Sequence, residues 1–252
     1  MKNSNKNSER MRLYKDLSWT WPIISPPKDY IEEAEFFAAK INKHKKIETK
    51  TILNLGCGGG HMDWTLKEHF NITSVDISPD MLSLAKKLNP EIEYIEGDMR
   101  TVRLKRKFDA VVIHDSILYM QTLDELKAAF KTAYERLKAN GLMITYCEEW
   151  PEHFVQNKVR SQRNTRDNID LIFIENYFDP DPNDTTYEGT FIYLIRRDGK
   201  LEIHHDYHTF GIFPLDDWRR VIRGAGFSLH ETRFTHSDFT VDEYYPMFVG
   251  IK

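Results

Sequence analysis

"TILNLGCGGGH", Thr51–His61, places four glycines in five positions directly after a short apolar run. Glycine reaches positive φ without steric penalty, so a glycine turn after a strand presents bare N–H groups to a ligand. Twenty positions beyond Gly56, Asp76 lies at the end of the next apolar run, "ITSVDI", where a carboxylate can accept from both hydroxyls of a ribose. Together the two features imply a nucleoside. A dinucleotide loop needs G-x-G-x-x-G, but the last position is His61 counting from Gly56 and Asp63 counting from Gly58. The loop reads G-x-G-x-G instead.

Outward from this loop, apolar runs alternate with helical patterns. The runs are "TILNLG" (51–56), "ITSVDI" (72–77), "IEYIEG" (92–97), "FDAVVIH" (108–114) and "LMITYCE" (142–148), and the alternation predicts five parallel strands with crossover helices. Ser78-Pro79 and the Thr122/Glu125 pair mark two helix starts, and Asn140-Gly141 is expected to stop the second helix. Upstream, Tyr30, Ala34, Phe37, Ala38 and Ile41 form one helical stripe. From Glu149 to Pro214 the runs become longer and aromatic: "DLIFIENYF", "TFIYLIRR" and "LEIHHDYHTFGIF". Asp198-Gly199 between the last two is a hairpin signal, so residues 149–214 predict an antiparallel insert. A helix, "LDDWRRVIRGAG", and two closing runs follow. The expected architecture is α/β: a doubly wound, Rossmann-like sheet of seven strands from residues 1–148 and 215–252, with an antiparallel β cap from 149–214.

The motifs "NLGCGGG", "SVDIS", "EGDMR" and "FDAVVIHDS", in this order and spacing, resemble the class I S-adenosylmethionine-dependent methyltransferases. The helix "LDELKAAFKTAYERLKANGLMI", the stretch "HTFGIFPLDDWRRVIRGAGF" and the terminal "MFVGIK" are similar to the small-molecule branch with the amino-sugar N,N-dimethyltransferases and glycine N-methyltransferase-like enzymes. The resemblance implies S-adenosylmethionine as cofactor. Gly56, Cys57 and Gly58, with Gly60, would run along its methionyl and ribose parts, Asp76 would hold the ribose, Ile77 and Met81 would flank the adenine, and Asp98 with Met99 would read its amino edge. Asn54 stands where the family usually carries an acid; its amide can still hydrogen-bond the cofactor's ammonium. In "YKDLSWTWP", Tyr14, Trp19 and Trp21 would belong to a lid, with Trp19 the tryptophan expected on the cofactor, aromatic faces being suited to a sulfonium.

Methyl transfer asks the protein for alignment, water exclusion and a base where the acceptor is protonated. Candidates follow the parallel strands: His114 and Asp115 as catalytic residues, with His114 expected to titrate near neutrality and serve as the base. Tyr119, Glu148, Glu149 and His204 are expected to meet the substrate, and adjacent Glu148 and Glu149 point opposite ways, so one of them at most faces the pocket. The strand "EIHHDYHTF" alternates, which puts His204, Asp206 and His208 on one face. Residues four apart on a strand lie about 13 Å from each other, so these histidines predict no metal.

Composition is ordinary for a soluble globular chain: 252 residues, 40% hydrophobic, 29% charged, formal net charge −4. That balance argues against a nucleic-acid partner, and "HDSILY" lacks the Asn/Asp-Pro-Pro-aromatic clamp for a flipped base. Two cysteines, no apolar leader and no membrane-length run predict a cytoplasmic protein with a loose first ten residues. The expected activity is methyl transfer to a small polar acceptor, at nitrogen rather than oxygen. Its rivals are a nucleic-acid methyltransferase and a non-catalytic cofactor-binding protein. The sequence leaves the oligomeric state open; an exposed edge of the insert offers a surface through which a homodimer could pair.

Overall fold

The computed structural model describes residues 10–252, so the expectation of a loose N-terminus falls outside them except for Arg10, which bridges to Tyr207. Helices α1 (Trp21–Ile24) and α2 (Ile31–His44) precede β1 (Thr51–Leu55). Then come α3 (His61–Leu66), β2 (Asn71–Asp76), α4 (Pro79–Leu88), β3 (Glu93–Glu96), β4 (Phe108–Ile113), α5 (Leu123–Arg136) and β5 (Leu137–Tyr146). These five strands are parallel, as the alternation predicts. β4 is buried at every position, which is why it reads as an unbroken apolar run rather than an alternation.

Both helix starts are built as their sequences suggest. Ser78 Oγ accepts the Met81 N–H at 3.1 Å with Pro79 at the first helical position, and Thr122 Oγ accepts the Glu125 N–H at 3.2 Å. The stop of α5 differs from expectation. The helix ends at Arg136 because Leu137 already pairs with Phe108 of β4, and Asn140, at φ 61°, lies within the following strand.

The chain continues through β6 (Lys158–Arg166), β7 (Ile169–Phe178), β8 (Thr186–Arg197) and β9 (Lys200–Gly211), then α6 (Leu215–Gly224), β10 (Ser228–Phe234) and β11 (Tyr245–Ile251). One sheet has the order β10-β11-β5-β4-β1-β2-β3, with β11 antiparallel to both neighbours; the other is the antiparallel meander β6-β7-β8-β9. Asp198 and Gly199 both take positive φ, 50° and 79°, the turn that Asp-Gly favours between hairpin strands. β6, "KVRSQRNTR", was absent from the expected meander. Among the described residues it pairs only with β7 and is mostly exposed, so it carries charge on both faces and shows no apolar alternation.

Strand order reverses between β1 and β4, which opens a crevice at their carboxyl ends. The meander is fixed against the turn that follows β4. Gly211, at the end of β9, packs so tightly that a Cβ would sit 1.8 Å from the Met120 carbonyl oxygen, and Gln121 Nε2 donates to the Thr209 carbonyl at 3.1 Å. The N-terminal segment ties the two sheets together. Leu13 N–H donates to Asp206 of β9 at 2.7 Å, while the Tyr14 carbonyl accepts from Ser78, the cap of α4, at 2.6 Å. No helix among the described residues is long and apolar enough to cross a membrane.

Candidate active site

A cavity of about 420 Å³ occupies the crevice, a volume suited to a nucleoside-sized ligand. The glycine loop forms one wall. Gly56 and Cys57 donate to the Val75 carbonyl at 2.7 and 3.1 Å, which anchors the loop on β2. Gly56 (φ 77°) is required by packing, since a Cβ would lie 2.0 Å from Ser116 Oγ. Gly58 (φ 53°) has nothing within 4 Å of a Cβ position, so its bare backbone borders open space. Its N–H is turned onto Asp76 Oδ2 at 2.7 Å, and Asp76 Oδ1 accepts the Ser78 N–H at 2.8 Å. The carboxylate therefore braces loop and helix together while lining the cavity. Burial raises its pKa, and the Ser78 and Gly58 N–H groups oppose that rise.

Ile77, Met81, Met99 and Asp98 line the cavity as expected. Ile77 is 63% exposed, an unusual position for isoleucine unless something covers it. Asp98 is gripped by Arg100 through Nε at 2.9–3.0 Å and Nη2 at 2.6 Å, and Arg100 also pairs with Glu125. Burial opposes the Asp98 charge, but Arg100 outweighs it and holds the pKa low. Asn54 is buried and donates to Asp63 at 2.7 Å, while its Oδ1 has no partner. A buried acceptor left without a donor at a cavity wall is what an incoming ammonium would satisfy.

The other end of the cavity holds Tyr14, Tyr119, His114 and Asp115. His114 Nε2 lies 2.7 Å from Glu33 Oε1, its Nδ1 lies 3.2 Å from Asp115 Oδ2, and Tyr146 Oη approaches Nε2 at 3.0 Å. Burial disfavours the imidazolium, yet the carboxylates of Asp115 and Glu33 prevail and raise its pKa to about 9. This corrects the expectation of a neutral base: at pH 7 His114 is already protonated and has no lone pair to offer. Glu33, His114 and Asp115 bring ligand atoms within 4.8 Å of one another, and an ion pair of one cation with two anions accounts for the group. Behind it, burial and then Asp115 push the Glu148 carboxyl well above the ordinary range, with Arg160 opposing, so it stays neutral. Two carboxylates against one imidazolium leave excess negative charge around the half-exposed Asp115.

Several expected contacts lie elsewhere. Trp19 packs under Arg197 of the meander, 5.3 Å from its ring centroid, and Trp21 lines the cavity instead, stacked on His61 at 9° between planes. Gly60 is outside the cavity lining; at φ 74° it starts α3, where a Cβ would lie 2.7 Å from Tyr94 Oη. Glu149 turns to Lys158 (3.0 Å) and His153 (3.3 Å), and Glu148 stands behind Asp115 rather than in the lining. His204 sits near Glu202 and Arg12; four residues on along the same face, His208 is the histidine that reaches Tyr119. Glu33, Tyr30 and His61 also belong to the site; of these the sequence placed only Tyr30 on the helical stripe, gave His61 only as the position that breaks the dinucleotide pattern, and carried no signal for Glu33.

The residues present fit S-adenosylmethionine: a bare loop, an acid for a ribose, an orphaned amide oxygen and aromatic faces share one cavity. Comparison with known proteins agrees. The family profile "Methyltransferase domain" matches residues 52–141. The chain is 34% identical over 202 residues to dTDP-3-amino-3,4,6-trideoxy-alpha-D-glucopyranose N,N-dimethyltransferase of Streptomyces venezuelae, covering 79% of this chain and 84% of that one. It is 26% identical over 208 residues to dTDP-3-amino-3,6-dideoxy-alpha-D-glucopyranose N,N-dimethyltransferase of Streptomyces fradiae, covering 80% and 79%. The solved structure of Streptomyces venezuelae DesVI superposes with a TM-score of 0.80 at 25% identity, over 94% of this chain and 95% of that one. A nucleoside cavity at the strand-order reversal, on a chain with this identity and coverage, makes the protein a member of the class I S-adenosylmethionine-dependent methyltransferases, in the small-molecule branch that includes the amino-sugar N,N-dimethyltransferases.

Proposed function

We infer that the chain methylates an amine on a small polar molecule, and that an amino-deoxy sugar carried on a nucleotide is the class of acceptor to try first. The observation that carries this is the acidic wall. Asp115 meets the cavity with 46% of its side chain exposed and is backed by Glu33, so two carboxylates face the single His114 imidazolium and leave a surplus of negative charge. An ammonium arriving beside Asp115 relieves that surplus; a neutral hydroxyl does not. The names of the two dimethyltransferase relatives point the same way.

Bound S-adenosylmethionine supplies an electrophilic methyl group. The chain's residues do the rest. Asp76, braced by the Gly58 N–H, would hold the ribose portion, Asn54 Oδ1 would meet the ammonium, and Tyr14, Trp21 and Tyr30 would close the cavity against water. Asp115 and Tyr119 orient the acceptor nitrogen. Both cysteines are free and buried, which agrees with the cytoplasmic location we assign. The test is a methylation screen following S-adenosylhomocysteine formation over nucleotide-linked amino sugars, free amines and matched hydroxylated compounds. Turnover of amines alone is expected. Turnover confined to the hydroxylated set overturns the nitrogen assignment.

A further inference from the structure

With His114 already protonated, the proton that an acceptor ammonium must shed needs another destination. Tyr119 lines the cavity from the turn after β4, and its Oη lies 2.9 Å from Nδ1 of His208 on β9. Behind it, His208 Nε2 lies 2.8 Å from Asp206 Oδ2, and neither side chain has any solvent exposure. That same carboxylate oxygen accepts the Leu13 N–H at 2.7 Å. Phe191 packs against the imidazole with ring centroids 4.3 Å apart.

The hydrogens follow from these contacts. Burial opposes the Asp206 charge, yet His208 and the Arg12 and Leu13 N–H groups hold its pKa below the ordinary range, so it accepts only. Nε2 of His208 must therefore carry a hydrogen, and the tautomer that carries it there leaves Nδ1 bare. The Tyr119 O–H then points at Nδ1, which leaves its oxygen lone pairs to the neighbouring Tyr14 side chain and to a ligand in the cavity it lines.

We propose that Asp206 and His208 position the Tyr119 hydroxyl as an acceptor for the substrate's N–H, and that this chain of groups takes up the proton the amine sheds before methylation. The proposal rests on the amine reading above. In the step, an ammonium N–H bond breaks and its proton joins Tyr119 Oη, while the Tyr119 proton passes to His208 Nδ1. The nitrogen keeps the electron pair, Tyr119 stays neutral, and the positive charge ends on the imidazolium beside Asp206. No phenolate forms, which matters because burial pushes the Tyr119 pKa well up. Once product leaves, the two transfers run backward onto water in the cavity. Tyr119 faces the acceptor; His208 and Asp206 act through it.

Other titratable or charged groups around the pair are Glu175 from β7, Tyr193 from β8, and Arg12 and Tyr14 from the N-terminal segment. The test compares wild type with His208→Asn and Tyr119→Phe, using dTDP-3-amino-3,6-dideoxy-α-D-glucopyranose from pH 6 to 10. The asparagine oxygen can still accept from Tyr119 but cannot take a proton. Loss of a proton acceptor lowers kcat about a hundredfold near pH 6.5. The loss closes as pH passes the amine's own pKa, with affinity for S-adenosylhomocysteine unchanged. An equal loss at every pH, or none, overturns the proposal. Nitrogen-15 NMR of the histidines in wild type decides without turnover: an Nε2–H tautomer whose Nδ1 resonance shifts in Tyr119→Phe supports the chain, and an Nδ1–H tautomer sinks it. A wild type that methylates no amine defeats the functional reading instead, and the tautomer still decides the hydrogen bonding.

Discussion

Replacing His114 with glutamine removes the cation from between Glu33 and Asp115 while keeping a polar side chain in place. Because the folded-state pKa of His114 lies above its unfolded value, the stability it contributes is fully present below pH 6.5 and is lost as pH rises through 9. A rise from 6.5 to about 9 corresponds to about 3 kcal/mol, at 1.36 kcal/mol for each pH unit. The imidazole is 7% exposed, so solvent screening leaves that figure largely intact. The assay is urea unfolding of wild type and His114→Gln at pH 6 to 10. Wild type should exceed the variant by about 3 kcal/mol at pH 6, and the curves should converge above pH 9. Curves that stay parallel would refute the ion-pair account, because a packing defect has no reason to depend on pH. With the imidazolium gone both carboxylates are uncompensated, so the variant should bind a positively charged acceptor at least as tightly as wild type, whereas loss of Asp115 should weaken it.

Further outcomes follow from other parts of the site and its frame. Gly58→Val puts a branched side chain into the cavity at φ 53°, and S-adenosylmethionine affinity should fall more than tenfold in calorimetry, with a loss in stability of about 2 kcal/mol from the left-handed backbone. Trp21→Ala should lower cofactor affinity several-fold, whereas Trp19→Ala, which touches the meander, should leave it unchanged. Equal effects of the two would contradict the placement. Asp109 accepts from Lys50 and Thr51 backbone N–H groups and pairs with Lys138 at 2.8 Å; burial opposes its charge, but these partners lower its pKa to about 2. Asp109→Asn should cost about 2 kcal/mol in urea unfolding at pH 7. The contribution is present above the ordinary carboxylate pKa and lost as pH falls through 2, so the two proteins should converge in acid.

Local chemistry made the cofactor half of the site legible. The loop, Asp76, Asp98 and the parallel strands are contiguous motifs whose geometry is fixed by neighbours a few residues away. The acceptor half is assembled from distant pieces, and there the sequence misled. Glu33 reads as an ordinary acid in the first turn of α2, and only its packing on β4 and β5 reveals it as the partner of His114 and Tyr146. Two tryptophans two residues apart on a short 3-10 turn and helix start cannot be ranked by pattern, since which one faces inward depends on how the turn docks. On β9 the alternating face was right, yet His204 lies beyond the covered part of the strand and His208 within it. β6 escaped because an exposed edge strand needs no apolar pattern.

The most direct test of the account is calorimetric titration of the protein with S-adenosylmethionine and with S-adenosylhomocysteine, in wild type and Asp76→Ala. Asp76 supports the loop through two N–H groups, and charge-assisted hydrogen bonds are worth about 1.5–3 kcal/mol each. Saturable binding of both compounds by wild type, weakened more than about a hundredfold by the substitution, is the predicted result. Wild-type protein that binds neither compound would contradict the nucleoside cavity and the methyl-transfer function built on it.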